Sequence, residues 1–411
     1  PPPTEPSPPT EPSHPTGPSG LTTDVSGNIY ATGFINDRIN GKYYTYIYTL
    51  KHDPNGNEKW RVTYKGGQNS TNISSDVAVD SIGNVYVVGS SGDSTYDICL
   101  IKYTPDGVYE WAENYGREAL DDLGVAVATD KEGNIYVVGR LRNNVNDDVV
   151  LLKYGPDGTL EWDSIYDGGE SEWPKDIAVD SSGNIYVVGW IDTSPREMFL
   201  LKYDKNGVQL WFTTYVHEGD DTEGNSIAVD PWGHIYVAGI NNDDNFLLIK
   251  YDADGNVINT QTYDDPEEEF VFAPGIATDI AGNVYAVGLS WFTNTHIHLF
   301  KWTPSNQRLW HVCEETSFYE DTDVAVDLSG NIYVIYTDAL REQWKIAKYI
   351  CLDLATSGEG QLIGVDNEDW YRIDIQGALK VKATITQISG TNFDLYLYDG
   401  SLTEKDSETS D

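Results

Sequence analysis

The stretch Asp180–Gly189, "DSSGNIYVVG", places a carboxylate, two hydroxyls and a Gly-Asn pair directly ahead of an apolar run. Those residue types suit a metal or catalytic loop feeding a strand, and they suit equally a tight turn between two strands. Repetition separates the two. The pattern returns as "DVSGNIYATG" from Asp24, "DSIGNVYVVG" from Asp80 and "DKEGNIYVVG" from Asp130. After the quoted stretch come "DPWGHIYVAG" from Asp230, "DIAGNVYAVG" from Asp279 and "DLSGNIYVIY" from Asp327. The turn glycines (Gly27, Gly83, Gly133, Gly183, Gly233, Gly282 and Gly330) recur about every 50 residues, a period that marks stacked supersecondary units. An Asp repeated in every unit is architectural rather than catalytic.

One unit resolves into four expected strands. "DIAVD" (Asp176–Asp180) and "NIYVVGW" (Asn184–Trp190) are joined by a type I turn whose glycine takes a positive φ. "MFLLKYD" (Met198–Asp204) and "VQLWFTTY" (Val208–Tyr215) are joined by the same chemistry in "YDKNG". The second strand is apolar on both faces, which suits a sheet sandwiched between two others. The first strand carries a small residue at one place (Ala78, Ala128, Ala178, Ala228, Ala277, Ala325), expected where innermost strands converge on an axis. The fourth carries Trp60, Trp111, Trp162, Trp211 and Trp310, with Asn259 in the fifth unit. Such a ring can cover the seam to the next unit. The fold predicted is all-β, a seven-bladed β-propeller over 19–354 followed by a partial β-sandwich over 355–411. After "WKIAKYICLD" (Trp344–Asp353) no turn-plus-Trp signature follows, so the seventh blade is expected to lack its fourth strand.

Composition agrees. Among 411 residues are 38 Gly, 28 Tyr, 12 Trp and one Met, which favours strands and turns. A formal charge of −40 argues against nucleic acid, whose phosphates need clustered cations. Cys99, Cys313 and Cys351 are too few and scattered for a disulfide framework or metal cluster; free thiols are expected over a Cys313–Cys351 bridge. No apolar run approaches the roughly 20 residues of a membrane span. Residues 1–18 hold half of the chain's 18 prolines, as a solvated spacer would, and open without an initiator Met, as a piece of a longer protein would.

The unit resembles the bacterial and archaeal SBBP β-propeller repeat, whose hallmark is similar to D-x-x-G-N-[IV]-Y-V-x-G. The spacing of Asp204, Gly207 and Trp211 is similar to the tryptophan-docking motif of quinoprotein-like propellers. Seven units and the lack of vicinal cysteines depart from quinoprotein dehydrogenases, so no quinone is expected. Sialidase Asp boxes differ in spacing from "TPDGVYEW". Past Ala355, "DNEDWYRIDIQG", "LKVKATITQI" and "NFDLYLYDG" alternate apolar and polar residues. This segment resembles the pre-peptidase C-terminal (PPC) domain of secreted proteins, with its last strands missing. The resemblance implies an extracellular or cell-surface protein.

In a propeller the short uniform turns share one face, while second-to-third loops and blade connections vary on the other, where binding usually sits. Those variable loops are acidic and aromatic, and Trp173, Trp190, Trp291, Phe292 and Tyr319 are expected to stack on sugars or anchor a protein. Three sharper candidates compete with bland readings. "DADGN" (Asp252–Asn256) imitates a calcium loop but lacks its glycine spacing. His296 and His298 share a strand face without an identifiable third ligand. Asn69 and Asn72 head overlapping glycosylation sequons. No Ser/His/Asp, Cys/His or phosphate-loop constellation stands out, and no metal or cofactor is expected. The expected function is a non-catalytic, monomeric binding or scaffold module for an extracellular glycan or protein. The alternative is a propeller glycan hydrolase or lyase, or an accessory region of a secreted protease.

Overall fold

The computed structural model describes residues 15–39, 42–67, 70–117, 119–241, 245–263, 269–291, 295–316, 322–338, 343–350, 394–398 and 404–409. Among them every regular element is a strand. The quoted stretch lies in the fourth of seven repeated sheets, whose strands are Glu172–Val179, Ile185–Ile191, Glu197–Tyr203 and Gln209–Tyr215, antiparallel in that order. Five other sheets repeat the four-stranded meander. The seventh has three strands among the described residues, Asp323–Val326, Asn331–Asp338 and Gln343–Ile350, in line with the absent fourth-strand signature. Each first strand packs against the first strand of the next sheet, and Asp323–Val326 packs against Pro15–Thr23, so the sheets close a ring. The chain is an all-β, seven-bladed propeller.

The repeated Asp is a hub for four donors. In blade 4, Asp180 Oδ1 accepts the N–H groups of Ser182 (2.8 Å) and Asn184 (2.9 Å). Its Oδ2 accepts Asn184 Nδ2 at 2.7 Å and the Tyr186 hydroxyl at 3.0 Å. The set repeats at Asp24, Asp80, Asp130, Asp279 and Asp327, and at Asp230 with His234 Nδ1 in place of the Asn amide. Gly183 closes the turn at φ 84°, where a side chain would be strained. The motif is therefore a turn that fastens a buried tyrosine, which answers the question its residue types raise.

That tyrosine organises the seam. Opposite it across the sheet stands a small residue, as in the pairs Ala78–Tyr86, Ala178–Tyr186 and Ala325–Tyr333. Room for the ring is thus a nearer reason for those alanines than crowding at the axis. A third-strand lysine (Lys51, Lys102, Lys153, Lys202, Lys250, Lys301, Lys348) lies over each tyrosine ring, Nζ 4.9 to 5.8 Å from its centre. Lys202 Nζ donates to the Ala253 carbonyl of the next blade at 2.8 Å, and Lys348 of blade 7 reaches Pro54 of blade 1 at 3.1 Å. The fourth-strand Trp60, Trp111, Trp162 and Trp211 each cover a turn glycine of the next blade (Gly107, Gly158, Gly207, Gly255), so closely that an added Cβ would stand 2.7 to 3.2 Å from the ring. Where the fifth blade has Asn259, its neighbour has Asn306 in place of the glycine, at φ 65°, and Asn306 Nδ2 bonds Asn259 Oδ1 at 2.8 Å. The apolar core follows the same plan, with one cluster filling each of the seven seams, including that between blades 7 and 1.

At the axis, three first strands carry an Asp four residues before the turn Asp, at Asp76, Asp176 and Asp323. Each accepts the amide of its own next residue and one from the following blade: Val127 at 2.9 Å, Ile227 at 2.8 Å and Leu21 at 2.8 Å. The last of these ties blade 7 to blade 1.

The spacer expected over residues 1–18 needs correction, because the first strand of blade 1 begins at Pro15. It is an edge of its sheet, with register shifts at Pro15/Gly17 and Pro18/Gly20, and edges and bulges are where proline costs no ladder bond. In the region expected to be a sandwich, Asp394–Tyr398 pairs antiparallel with Glu404–Thr409. The rest of that expectation, with Cys351, lies outside the described residues.

Two outcomes test this account. Asp180→Ala removes an acceptor from four donors and should cost about 3 kcal/mol in urea unfolding, against about 1 kcal/mol for Tyr186→Phe. Equal costs would mean that the hub is not the organising contact. The second concerns pH. Burial pushes Asp176 up to about 6 and Asp76 well above the carboxylate range, the latter with help from Asp176 and Asp323. A raised acid favours the folded state when protonated, and that contribution fades as pH climbs from the unfolded value through the folded one. Asp24 is lowered, its hydrogen bonds from Asn28, Tyr30 and Ser26 outweighing burial, so it works oppositely and only in stronger acid. Thermal midpoints should therefore rise as pH falls from about 6.5 to about 4, and Asp176→Asn should shrink that rise.

Candidate functional site

The loop-bearing face is more ordered than its sequence variety implies. In the second-to-third loop of blade 4, Arg196 N donates to Asp221 Oδ1 at 2.8 Å, and Thr222 N returns a bond to Arg196 O at 3.0 Å. Blade 2 repeats the exchange with blade 3, through Tyr96 N to Asp121 Oδ1 (3.0 Å) and Asp122 N to Tyr96 O (2.7 Å). Each such loop is thereby latched to the connection entering the next blade. Loops of different sequence share this bond because a backbone carbonyl and an acidic side chain suffice for it.

On this face Trp173 and Trp190 are directly opposed across the first two strands of blade 4. Their rings stack at 5.2 Å with an interplanar angle of 6°. The Arg140 guanidinium of blade 3 lies 4.1 Å from the Trp173 ring centre, and that of Arg196 lies 4.8 Å from the Trp190 ring centre. The result is one stack, Arg140–Trp173–Trp190–Arg196. Arg196 is also paired with Glu223 of blade 5 at 2.7 Å, and Arg140 with Asp147 at 3.6 Å. Burial holds the Arg140 pKa below its ordinary value, whereas the Arg196 side chain remains 43% exposed.

The two expected rings are thus stacked on each other and flanked by cations. Ring and guanidinium neighbours occupy the faces of both indoles, and both indole N–H groups are buried without a hydrogen bond. A partner would meet Arg196 and Glu223 rather than a bare aromatic platform. Trp291 ends the second strand of blade 6, while Phe292 and Tyr319 lie outside the described residues. Among the described residues the structure brings together Trp173 and Trp190. Sequence reasoning missed the two arginines: Arg140 reaches Trp173 across the seam from blade 3, and Arg196 reaches Trp190 from the next loop of the same blade.

The remaining candidates resolve on geometry. Asp252 Oδ1 accepts the amides of Asp254 (3.0 Å) and Asn256 (2.9 Å), so "DADGN" is a hairpin turn. Asn72 is fully buried, its amide donating to Lys65 O and Ser70 O, which withdraws that sequon from modification in the folded chain; Asn69 lies outside the described residues. Cys99 is a buried free thiol, pushed up to about 12 by burial. His298 has both ring nitrogens engaged, with Ser290 Oγ at 2.6 Å and His311 at 2.8 Å. His311 continues to the Tyr263 hydroxyl at 3.3 Å, forming a Ser–His–His–Tyr line that sequence reasoning also missed. Ser290 and His298 are fully buried, so this line serves the seam rather than an open nucleophile. A group of oxygen ligands suited to a cation is formed by Asp148, Asp167 and Glu172.

A family model described as the SBBP beta-propeller repeat matches residues 168–195, the segment that carries the Trp pair and the quoted turn. The chain thus carries an SBBP repeat within a seven-bladed propeller. No curated protein matches it. Among solved structures, an ulvan lyase of a polysaccharide lyase family, bound to a GlcA(1-4)Rha3S saccharide, aligns at 11% identity over 82% of this chain and 95% of its own, with a TM-score of 0.50. The β-propeller domain of the Trilobed protease from Pyrococcus furiosus, described as having an open velcro topology, aligns at 8% identity over 81% and 95%, with a TM-score of 0.49. A protein of unknown function from Bacteroides caccae aligns at 13% over 69% and 93%, with a TM-score of 0.45. At these identities the likeness is one of fold alone.

Removing one layer should loosen the stack without opening the ring. Trp190→Ala should cost about 2 kcal/mol in thermal or urea unfolding, since it deletes a half-buried indole and one cation–π contact. Arg196→Ala should cost about 1 kcal/mol, its Glu223 pair being half-buried and still screened by solvent on the arginine side.

Proposed function

We propose that the chain is a non-catalytic extracellular or cell-surface binding module, and that the loop-bearing face around blades 3 to 5 engages a glycan or protein partner. The observation that carries this reading is the latched Arg140–Trp173–Trp190–Arg196 stack, with Arg196 offered to solvent beside Glu223. Loops tied to rigid blades lose little freedom on binding, which keeps the entropic cost of association low. A guanidinium backed by an indole is oriented for carboxylate or sulfate groups on an acidic glycan, or for an acidic segment of a protein. Trp291, at the end of the second strand of blade 6, stays in the proposal, as do Phe292 and Tyr319 on their sequence alone.

Cleavage of an acidic glycan is the second reading, favoured by one observation: a polysaccharide lyase is built on the same fold. Glu172, pushed up to about 7 by burial and by Asp148, Asp167 and Glu170, has a proton affinity suited to acid–base work. It is fully buried, however, so a substrate could reach it only if the surrounding residues moved.

A glycan array and a panel of secreted proteins, probed with the full chain, separate the two. Binding should appear without new reducing ends or unsaturated uronate absorbance. Arg196→Ala and Trp190→Ala should each weaken it at least about tenfold, as anchor residues do. Turnover of any polysaccharide would overturn the proposal, and binding unchanged in both variants would move the site elsewhere.

A further inference from the structure

We propose that Asp148, Asp167 and Glu172 hold a divalent cation of the calcium type in the seam between blades 3 and 4. This goes beyond the partner-binding reading and does not rest on it. Asp148 is the second residue of the third strand of blade 3 (Asp147–Tyr154), Asp167 follows its fourth strand, and Glu172 opens the first strand of blade 4. One carboxylate oxygen from each lies within 4.8 Å of the others. Ligands at about 2.3–2.6 Å on opposite sides of a calcium ion are separated by about that distance, so one ion can span the group as it stands.

Burial makes the cluster more than a solvated acidic patch. Asp148 is 3% exposed and Glu172 is 0% exposed. Glu172 Oε1 accepts the Gly168 amide at 3.0 Å, but its Oε2 is buried without any hydrogen-bond partner. A buried carboxylate oxygen left unpaired is costly, and a cation is the partner that also relieves its repulsion from two neighbouring carboxylates. The other groups facing the cluster do not supply that charge in full. Asn143 donates to both Asp148 oxygens at 3.1 Å, and Arg117 Nη1 stands 3.8 Å from Asp148 Oδ2. Without an ion Glu172 is raised to about 7 by burial first and by its acidic neighbours after, so a proton and a cation compete for one place. Three oxygen donors with no imidazole or thiolate select a hard cation over zinc or copper. Bound there, the ion would link two blades just beside the Trp173 stack.

The full chain, stripped with a chelator and held at constant ionic strength, should gain about 4 °C in thermal midpoint at a hundredfold excess of calcium over its dissociation constant. The increment, not the starting midpoint, is the readout, because Glu172→Gln also removes a strained carboxylate from the metal-free chain. Glu172→Gln and the exposed Asp167→Asn should each lose most of the increment. Asp106→Asn, in an exposed turn of blade 2, should keep it, which controls for diffuse binding to a chain of charge −40. Terbium emission sensitised through tryptophan should fall in the same two variants. A wild-type midpoint unmoved by millimolar calcium would overturn the proposal, as would an undiminished increment in Asp167→Asn.

Discussion

A single carboxylate receiving four hydrogen bonds underlies the whole molecule. At each of seven turns an Asp collects two backbone amides, one side-chain amide or imidazole and one tyrosine hydroxyl, all from the six residues that follow it. The amides shape the turn; the hydroxyl fixes where the tyrosine ring lies. Because that ring is buried in the seam, a local turn sets a long-range contact. The lysine above the ring then reaches the next blade's backbone, and the fourth-strand tryptophan settles on the next blade's glycine turn. Each unit is therefore completed by its neighbour, which is why the repeat must close on itself or be capped.

Closure between blades 7 and 1 uses the same parts. Lys348 plays toward Pro54 the role that Lys202 plays toward Ala253, and Asp323 bonds Leu21 as Asp176 bonds Ile227. A strand exchanged between the ends is thus not needed to explain the contact among the described residues: the seam itself is adhesive, with its own apolar cluster of Leu21, Ile29, Ala325 and Tyr333. The coupled change at Asn259 and Asn306 shows how specific that seam is. Losing the large ring in one blade is matched by losing the glycine in the next, and an amide pair replaces ring-on-backbone packing.

The face bearing the candidate site follows different physics. The loops of blades 2 and 4 are latched by side chains that need only present an oxygen, so their sequences differ while this geometry is kept. On that support the fourth blade and its neighbours assemble charge and aromatic surface in alternation. Stacking of Arg140 and Arg196 on the indoles keeps two cations ordered in a strongly acidic molecule. The same density of carboxylates, drawn into a seam where water is scarce, produces the unpaired Glu172 oxygen.

What the amino-acid sequence determined by itself is whatever lies within one repeat. The turn Asp, its glycine, the buried strand after it, the blade count and the architectural role of the Asp all follow from contacts spanning a few residues and repeated seven times. The extent of the first strand was not legible, because proline signals an interruption unless the strand is known to be an edge. The tertiary structure decided everything that crosses a seam. Arg140 meets Trp173 from another blade, Arg196 meets Glu223 from another, and Asp148 joins Glu172 from either side of a connection. Such meetings depend on the angle and separation of neighbouring sheets, and those are set by closing the ring, which no single repeat encodes.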